Sequence, residues 1–243
     1  MAQELLETET VYLEKLTIIV EHFQKPLIAN AEGTTPFVTL NDVRSLFSST
    51  EVILGLTRVV HSELTSVRQS WSISSLIGPI FIKLKNFFRW YQTYCSNYTK
   101  VHDYLLNLKT KQPLFKEFIE KTEKSVCKGE DLESILIRIV QRIPQYNMIL
   151  SDYLKNTWPD HLDYKNLVTA VAEMHKTGQI VNEYIRDFEN AQLVADLSSR
   201  LEGYKGLAVP ARRHLFDAPF TEISKEEDKH LFLFNDLPLL TSP

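Results

Sequence analysis

Between Leu132 and Tyr153, apolar and aromatic residues recur in alternating steps of four and three: Leu132, Leu136, Ile139, Ile143, Tyr146, Leu150 and Tyr153. The spacing predicts one long helix that buries this face. Ser134, Arg138, Gln141, Arg142 and Gln145 form a polar stripe, and beside it, away from the seam, stand Ile137, Val140 and Met148. A surface helix needs one apolar face and one solvated face. Two apolar faces call for burial on both sides, or for the core on one side and a partner on the other. Pro144 lies inside the run, where it removes the donor to the Val140 carbonyl and tends to kink the helix, costing about 3 kcal/mol in an unsupported helix. A kinked helix buried on both faces fits this pattern, and so does a helix that offers Ile137, Gln141 and Gln145 to another protein.

The rest of the chain is written in the same period. Only seven glycines occur, five of them in the first 200 residues, so long helices are expected there rather than sheet. The first helix is predicted from Gln3 to beyond Phe23, with a seam of Leu6, Glu9, Leu13, Leu16, Val20, Phe23 and Leu27. Glu9 breaks that apolar register, either by reaching solvent near the helix start, where negative charge is favoured, or by facing a partner. A second helix is expected from Asn41 or Asp42 as cap to about Gln69. Pro79 suits the first turn of the next one, an aromatic run to Leu108 interrupted near Cys95–Asn97. A shorter helix after Pro113 ends at Lys128-Gly129-Glu130, and Asp131 is placed to cap the Leu132 helix. The last long helix is predicted over Tyr164–Leu201, where Gly178 suggests close approach of another backbone. From Gly203 the pattern changes to short apolar bursts. Arg213–Phe216, His230–Phe234 and Leu237–Leu240 read as strands with a turn at Asn235-Asp236, and Pro238 places the last at an edge. About forty such residues bury too little for a separate domain.

Composition narrows the function. The net charge of −4 and pI near 6.0 give no basic field for nucleic acid or anionic membrane. The sequence has no apolar run of membrane-spanning length and no signal-peptide pattern, so a cytoplasmic protein is expected, with Cys95 and Cys127 reduced. Close Cys/His spacings for zinc, phosphate loops, dinucleotide fingerprints and nucleophile elbows are missing, so no metal, cofactor or covalent catalytic residue is expected.

Three segments in order carry a resemblance. E-L-L-E-T-E-T-V-Y-L-E-K-L at Glu4–Leu16, the aromatic run with Y-C-S-N-Y followed by F-K-E-F, and L-I-R-I-V-Q-R-I-P-Q-Y at Leu136–Tyr146 together resemble the Dbl homology domain. That domain belongs to guanine-nucleotide exchange factors for Rho-family GTPases. The Q-R-I-P string and the D-Y-L after it are most similar to the faciogenital-dysplasia-protein subgroup. H-L-F-L-F-N-D-L at His230–Leu237 resembles early strands of the pleckstrin-homology domain that habitually follows.

The resemblance implies an all-α, elongated bundle of about six long helices over residues 1–202, with residues 203–243 as linker and first strands of an incomplete pleckstrin-homology domain. It implies a catalyst that binds a Rho/Rac-type small GTPase, stabilises the nucleotide-free state and speeds GDP release, although whether the chain is catalytic stays open. By position, Glu9 matches the residue that engages switch one, Gln145 and Asn182 match switch-two contacts, and Ile137 matches a selectivity position. Arg138, Gln141 and Arg142 are further interface candidates. Ile139 and Asn147 stand where the family commonly has proline, and Gln145 where it has lysine or arginine. Membrane phosphoinositide contact would need the complete pleckstrin-homology domain. The rival reading is a non-catalytic helical scaffold or adaptor that uses the same face.

Overall fold

The computed structural model describes residues 2–201, 204, 206–222 and 227–241. The chain opens with α1 (Ala2–Ile18), a π-helical turn (Ile19–Gln24) and α2 (Lys25–Ala31). In the π turn the Lys25 amide donates to the Val20 carbonyl, one residue further back than in an α-helix. Pro26, which has no N–H and crowds the preceding turn, follows directly, so the widened turn sits where a regular helix would be strained. α1 turns Leu5, Glu9, Tyr12 and Leu16 into the core. This corrects the predicted register: Leu6 and Leu13 are half-buried flanks, and Tyr12 takes the inward place.

The helix expected from residue 41 or 42 to 69 is two helices, α3 (Leu40–Leu46) and α4 (Thr50–Gln69). Its cap is Thr39, whose hydroxyl accepts from the Asp42 amide at 3.1 Å while the Asp42 carboxylate accepts from the Thr39 amide at 2.7 Å. Such a capping box satisfies two donors at once. Ser49, at φ 66°, turns the chain between the two helices. α5 (Gly78–Leu84) and α6 (Arg89–Lys111) are separated by a 3₁₀ turn at Lys85–Phe87. The aromatic run therefore breaks ten residues earlier than expected and continues unbroken through Cys95–Asn97.

α7 (Pro113–Val126) precedes α8 (Leu132–Lys155), which Asp131 caps as predicted, accepting from the Ser134 amide at 2.6 Å. That bond holds the Asp131 carboxyl below its ordinary range. The predicted seam of α8 is buried except for half-buried Tyr153, and Ile135, Val140 and Ile149 are buried beside it. Each such Leu or Ile contributes roughly 1.5–3 kcal/mol of burial, enough in sum to hold α8 continuous through Pro144. Tyr146 meets Phe81 and Phe88 edge-on at 5.4 and 5.9 Å. Both apolar faces of α8 are thus largely covered. Ile137 is half-buried, and Met148 alone is well exposed.

α9 (Tyr164–Arg200) is the longest helix. Gly178 lies on its buried side, but a β-carbon there would meet nothing within 4 Å, which overturns the expectation of a close backbone approach. The crowded glycine is Gly78, where a β-carbon would come within 2.6–2.8 Å of the Asn166–Leu167 backbone. Gly178→Ala is accordingly expected to stabilise the protein by up to about 1 kcal/mol. Gly78→Ala should destabilise it by about 1–3 kcal/mol through overpacking. Urea titration of the two variants checks both signs.

The chain divides into two compact units, Met1–Asn182 and Glu183–Pro243. The boundary expected between residues 202 and 203 falls outside the described residues. The first unit is all-helical. The second holds the end of α9 and the antiparallel strands β1 (His214–Glu222), β2 (Glu227–Phe234) and β3 (Pro238–Thr241), in the order β1-β2-β3. Pro238 opens the edge strand opposite Leu233, where its missing donor is tolerated. Val194 and Leu197 of α9 pack with Leu207, Phe232 and Phe234 in a small core. Arg212 clamps the Asp236 carboxylate through Nε and Nη2, and Asn190 bonds the backbone of Arg212 and His214.

Candidate functional site

Within the first unit, α1 packs against α8 and brings Glu9 onto Arg142. The two helices use matching registers. Leu5, Glu9, Tyr12, Leu16 and Ile19 step by four and three along α1 and into the π turn, and so do Ile135, Ile139, Arg142, Tyr146 and Ile149 along α8. The second member of one set is an anion and the third member of the other is a cation. Glu9 is 0% exposed and Arg142 1%. Arg142 Nη2 donates to Glu9 Oε2, and the Tyr146 hydroxyl donates to the same oxygen at 2.7 Å. The guanidinium lies over the Tyr146 ring at 4.3 Å and the Tyr12 ring at 4.9 Å, so aromatic faces supply part of the stabilisation that water would give.

Burial alone pushes the Glu9 carboxyl up, and Arg142, Tyr146 and His61 pull it back, leaving it above its ordinary value. Burial also pushes Tyr91 up to about 12, with the Glu9 charge adding to the effect. Among the described residues, Glu9 Oε1 and Arg142 Nε are buried without hydrogen-bond partners. Such groups favour an arrangement that gives them one.

Above this pair lies a surface cavity of about 350 Å³ lined by Thr8, Val11, Tyr12, Lys15, Arg138, Gln141 and Gln145, among others. Gln145 joins the cavity wall to the buried pair, its Oε1 accepting from Arg142 Nη1 at 2.5 Å. At the rim, Glu130 accepts from Lys15 at 2.6 Å and from Arg138 at 3.0 Å. These two cations hold the Glu130 carboxyl below its usual range, Lys15 contributing most.

The sequence-derived candidates therefore separate. Gln141, Gln145 and Arg138 meet around one cavity, with Glu9 linked to its wall through Arg142. Ile137 is half-buried on α8, outside that lining. Asn182 is exposed on α9 and takes no part in the network. Arg142 is corrected: placed in the polar stripe as a surface contact, it is a core residue, because it shares the inward register of Ile139 and Tyr146. Glu9 does not reach solvent either. Sequence reasoning missed Arg142 as its partner and Tyr12 as its cover, although a charge in each of two apolar registers was the available signal.

The profile of the RhoGEF domain matches residues 1–182. The chain is 34% identical over 99% of its length to "Guanine exchange factor for Rac 30" and 31% identical over 99% to "Kinase and exchange factor for Rac B", both of Dictyostelium discoideum. It spans 14% and 22% of the lengths of those two proteins. Human "FYVE, RhoGEF and PH domain-containing protein 4" is 26% identical over the whole chain and 32% of its own length, so the faciogenital-dysplasia type is among the relatives without being singled out. In fold, the chain is similar to the DH/PH domain of human ARHGEF11 in a ternary complex with human RhoA and its inhibitor. The TM-score is 0.72 at 18% identity, covering 99% of this chain and 72% of that one. An N-terminally truncated linker-DH/PH structure of p115-RhoGEF matches at TM-score 0.69 and 21% identity, covering 100% and 77%.

Proposed function

The chain belongs to the RhoGEF domain family, and on that premise we propose that it is a guanine-nucleotide exchange factor for a Rho/Rac-type small GTPase. The observation that carries the reading is the cavity between α1 and α8, where Gln141, Gln145 and Arg138 stand over the Glu9–Arg142 pair. An exchange factor of this kind works by binding. It must favour the state with nucleotide leaving over the GDP complex, and each tenfold gain in rate asks for about 1.4 kcal/mol of that preference. Glu9 supplies a charge for switch one, Gln145 and Asn182 supply polar contacts to switch two, and Ile137 tunes the choice among GTPases. The division into a RhoGEF domain ending in α9 and the opening strands of a pleckstrin-homology domain belongs to the same reading. So does a cytoplasmic site of action, with which the buried free thiols of Cys95 and Cys127 agree. No helix among the described residues is long and apolar enough to cross a membrane.

Release of fluorescent GDP from a panel of Rho, Rac and related GTPases tests the proposal. A rate that rises with substoichiometric chain supports exchange, whereas saturable binding at the spontaneous release rate would make the chain an adaptor. Asn182→Ala is expected to slow exchange about tenfold without moving the melt, since the side chain is exposed and a lost interfacial hydrogen bond is worth roughly 1–3 kcal/mol. Wild-type exchange by this variant would remove Asn182 from the contact surface.

A further inference from the structure

Arg142 has two terminal nitrogens and spends them on different partners. Nη2 is held by Glu9 Oε2 and Nη1 by Gln145 Oε1 at 2.5 Å. Arginine and carboxylate otherwise favour a forked pair of parallel bonds, one to each oxygen. Here the fork is split, and Glu9 Oε1 is left buried without a donor. Gln145 is half-buried at the cavity wall, so the outer end of this chain of contacts is within reach of a partner while the inner end is sealed. A lysine or arginine at position 145 could not accept from a guanidinium, so the split arrangement depends on the glutamine this chain carries.

We propose that Arg142 is a positioning residue that keeps one oxygen of Glu9 uncommitted, and that Gln145 maintains this state by holding Nη1 and with it the plane of the guanidinium, so that neither Nη1 nor the unpartnered Nε closes a fork on Glu9. The proposal rests on the exchange-factor reading for its use but not for its existence. In the free protein the uncommitted oxygen lies buried beneath the cavity wall, in reserve for a donor that parts that wall. Arg142 stays charged when Glu9 turns to that donor, because the Tyr12 and Tyr146 rings and the Gln145 carbonyl still surround it. The charged and titratable groups facing Glu9 are Arg142 and Tyr146 from α8, His61 from α4 and Tyr91 from α6.

Carbon-13 NMR titration of the Glu9 carboxyl in the free chain tests the arrangement directly. Gln145→Met preserves volume and removes the acceptor, which allows Arg142 to close on both oxygens of Glu9. The titration midpoint of Glu9 should therefore fall in Gln145→Met, and that fall should be absent in an Arg142→Lys background, since lysine cannot fork. An unchanged or raised midpoint in Gln145→Met overturns the proposal. Exchange kinetics carry the second readout, at chain concentrations where the residual activity of Glu9→Gln is resolved. Gln145→Met is expected to slow exchange at least threefold more with Glu9 present than once Glu9 is glutamine, where only the direct contact of Gln145 with switch two is lost. Effects that multiply would mean that Gln145 acts on the GTPase independently of Glu9, and would overturn the coupling. A wild-type chain that accelerates no GTPase in the panel overturns the functional reading instead, and the NMR titration then decides the proposal alone.

Discussion

Glu9→Ala is expected to do two things at once: to bring GDP release to its spontaneous rate, and to lower stability by about 3–5 kcal/mol. The second effect follows from burial, because breaking a fully buried ion pair from one side strands the other charge, here Arg142 at 1% exposure. Had Glu9 been a surface residue, the melt would barely have moved. Stability and exchange can nevertheless be separated. Replacing a whole buried pair by apolar residues of similar volume is often neutral or stabilising by about 1–4 kcal/mol, so Glu9→Leu with Arg142→Met should recover the melt and still fail in exchange. The pH dependence points the same way. Because the folded carboxyl of Glu9 sits above its ordinary 4.5, the native state holds that proton more tightly than the unfolded chain. Its contribution to stability is therefore full below about 4.5 and is lost as pH rises through the higher folded value. Exchange should move oppositely over this window, rising as Glu9 ionises. Glu9→Gln should flatten the stability slope, as pH-dependent urea midpoints would register.

Asp163→Ala should be the most damaging change outside the candidate site. Asp163 is fully buried, and Oδ2 accepts from the amides of Ile77 at 2.6 Å and Gly78 at 3.0 Å. It thereby satisfies the start of α5 from the connection between α8 and α9. His161 fixes that connection further, with Nε2 at 2.8 Å from the Ile73 carbonyl. Each buried amide left without an acceptor costs about 1–3 kcal/mol, so the variant is expected to lose about 2–6 kcal/mol in urea unfolding. Asp163→Asn keeps one carbonyl acceptor and should lose less than half as much. Equal stability of Asp163→Ala and wild type would mean that the two amides find other acceptors.

The helices were legible because burial imposes a period that the sequence must repeat. α7, α8 and α9 begin where Pro113, Asp131 and Tyr164 said they would, and the β2–β3 turn falls at Asn235-Asp236. What sequence could not supply was the choice between neighbouring registers. Leu6 and Leu13 made as good a seam for α1 as Leu5 and Tyr12, and only packing on α4 and α8 selects between them. That ambiguity hid Arg142, since a cation beside an apolar seam is ordinarily a solvated flank and becomes a core residue only when an anion from a distant helix faces it. Gly178 misled for a related reason: a helical glycine is equally compatible with a crowded contact and with open space. Nothing in the local sequence marks the crowded one, Gly78, which ends the polar stretch before Pro79.

Fluorescent-GDP release with the paired variant tests most directly whether the chain speeds nucleotide release through Glu9. With RhoA-like and Rac-like GTPases in excess, the wild-type chain should raise release at least a hundredfold over the spontaneous rate for at least one of them. The Glu9→Leu, Arg142→Met protein, folded to the same melting temperature, should leave that GTPase at its spontaneous rate. Release by the paired variant as fast as by wild type would contradict the role given to Glu9, and no acceleration by the wild-type chain would contradict exchange itself.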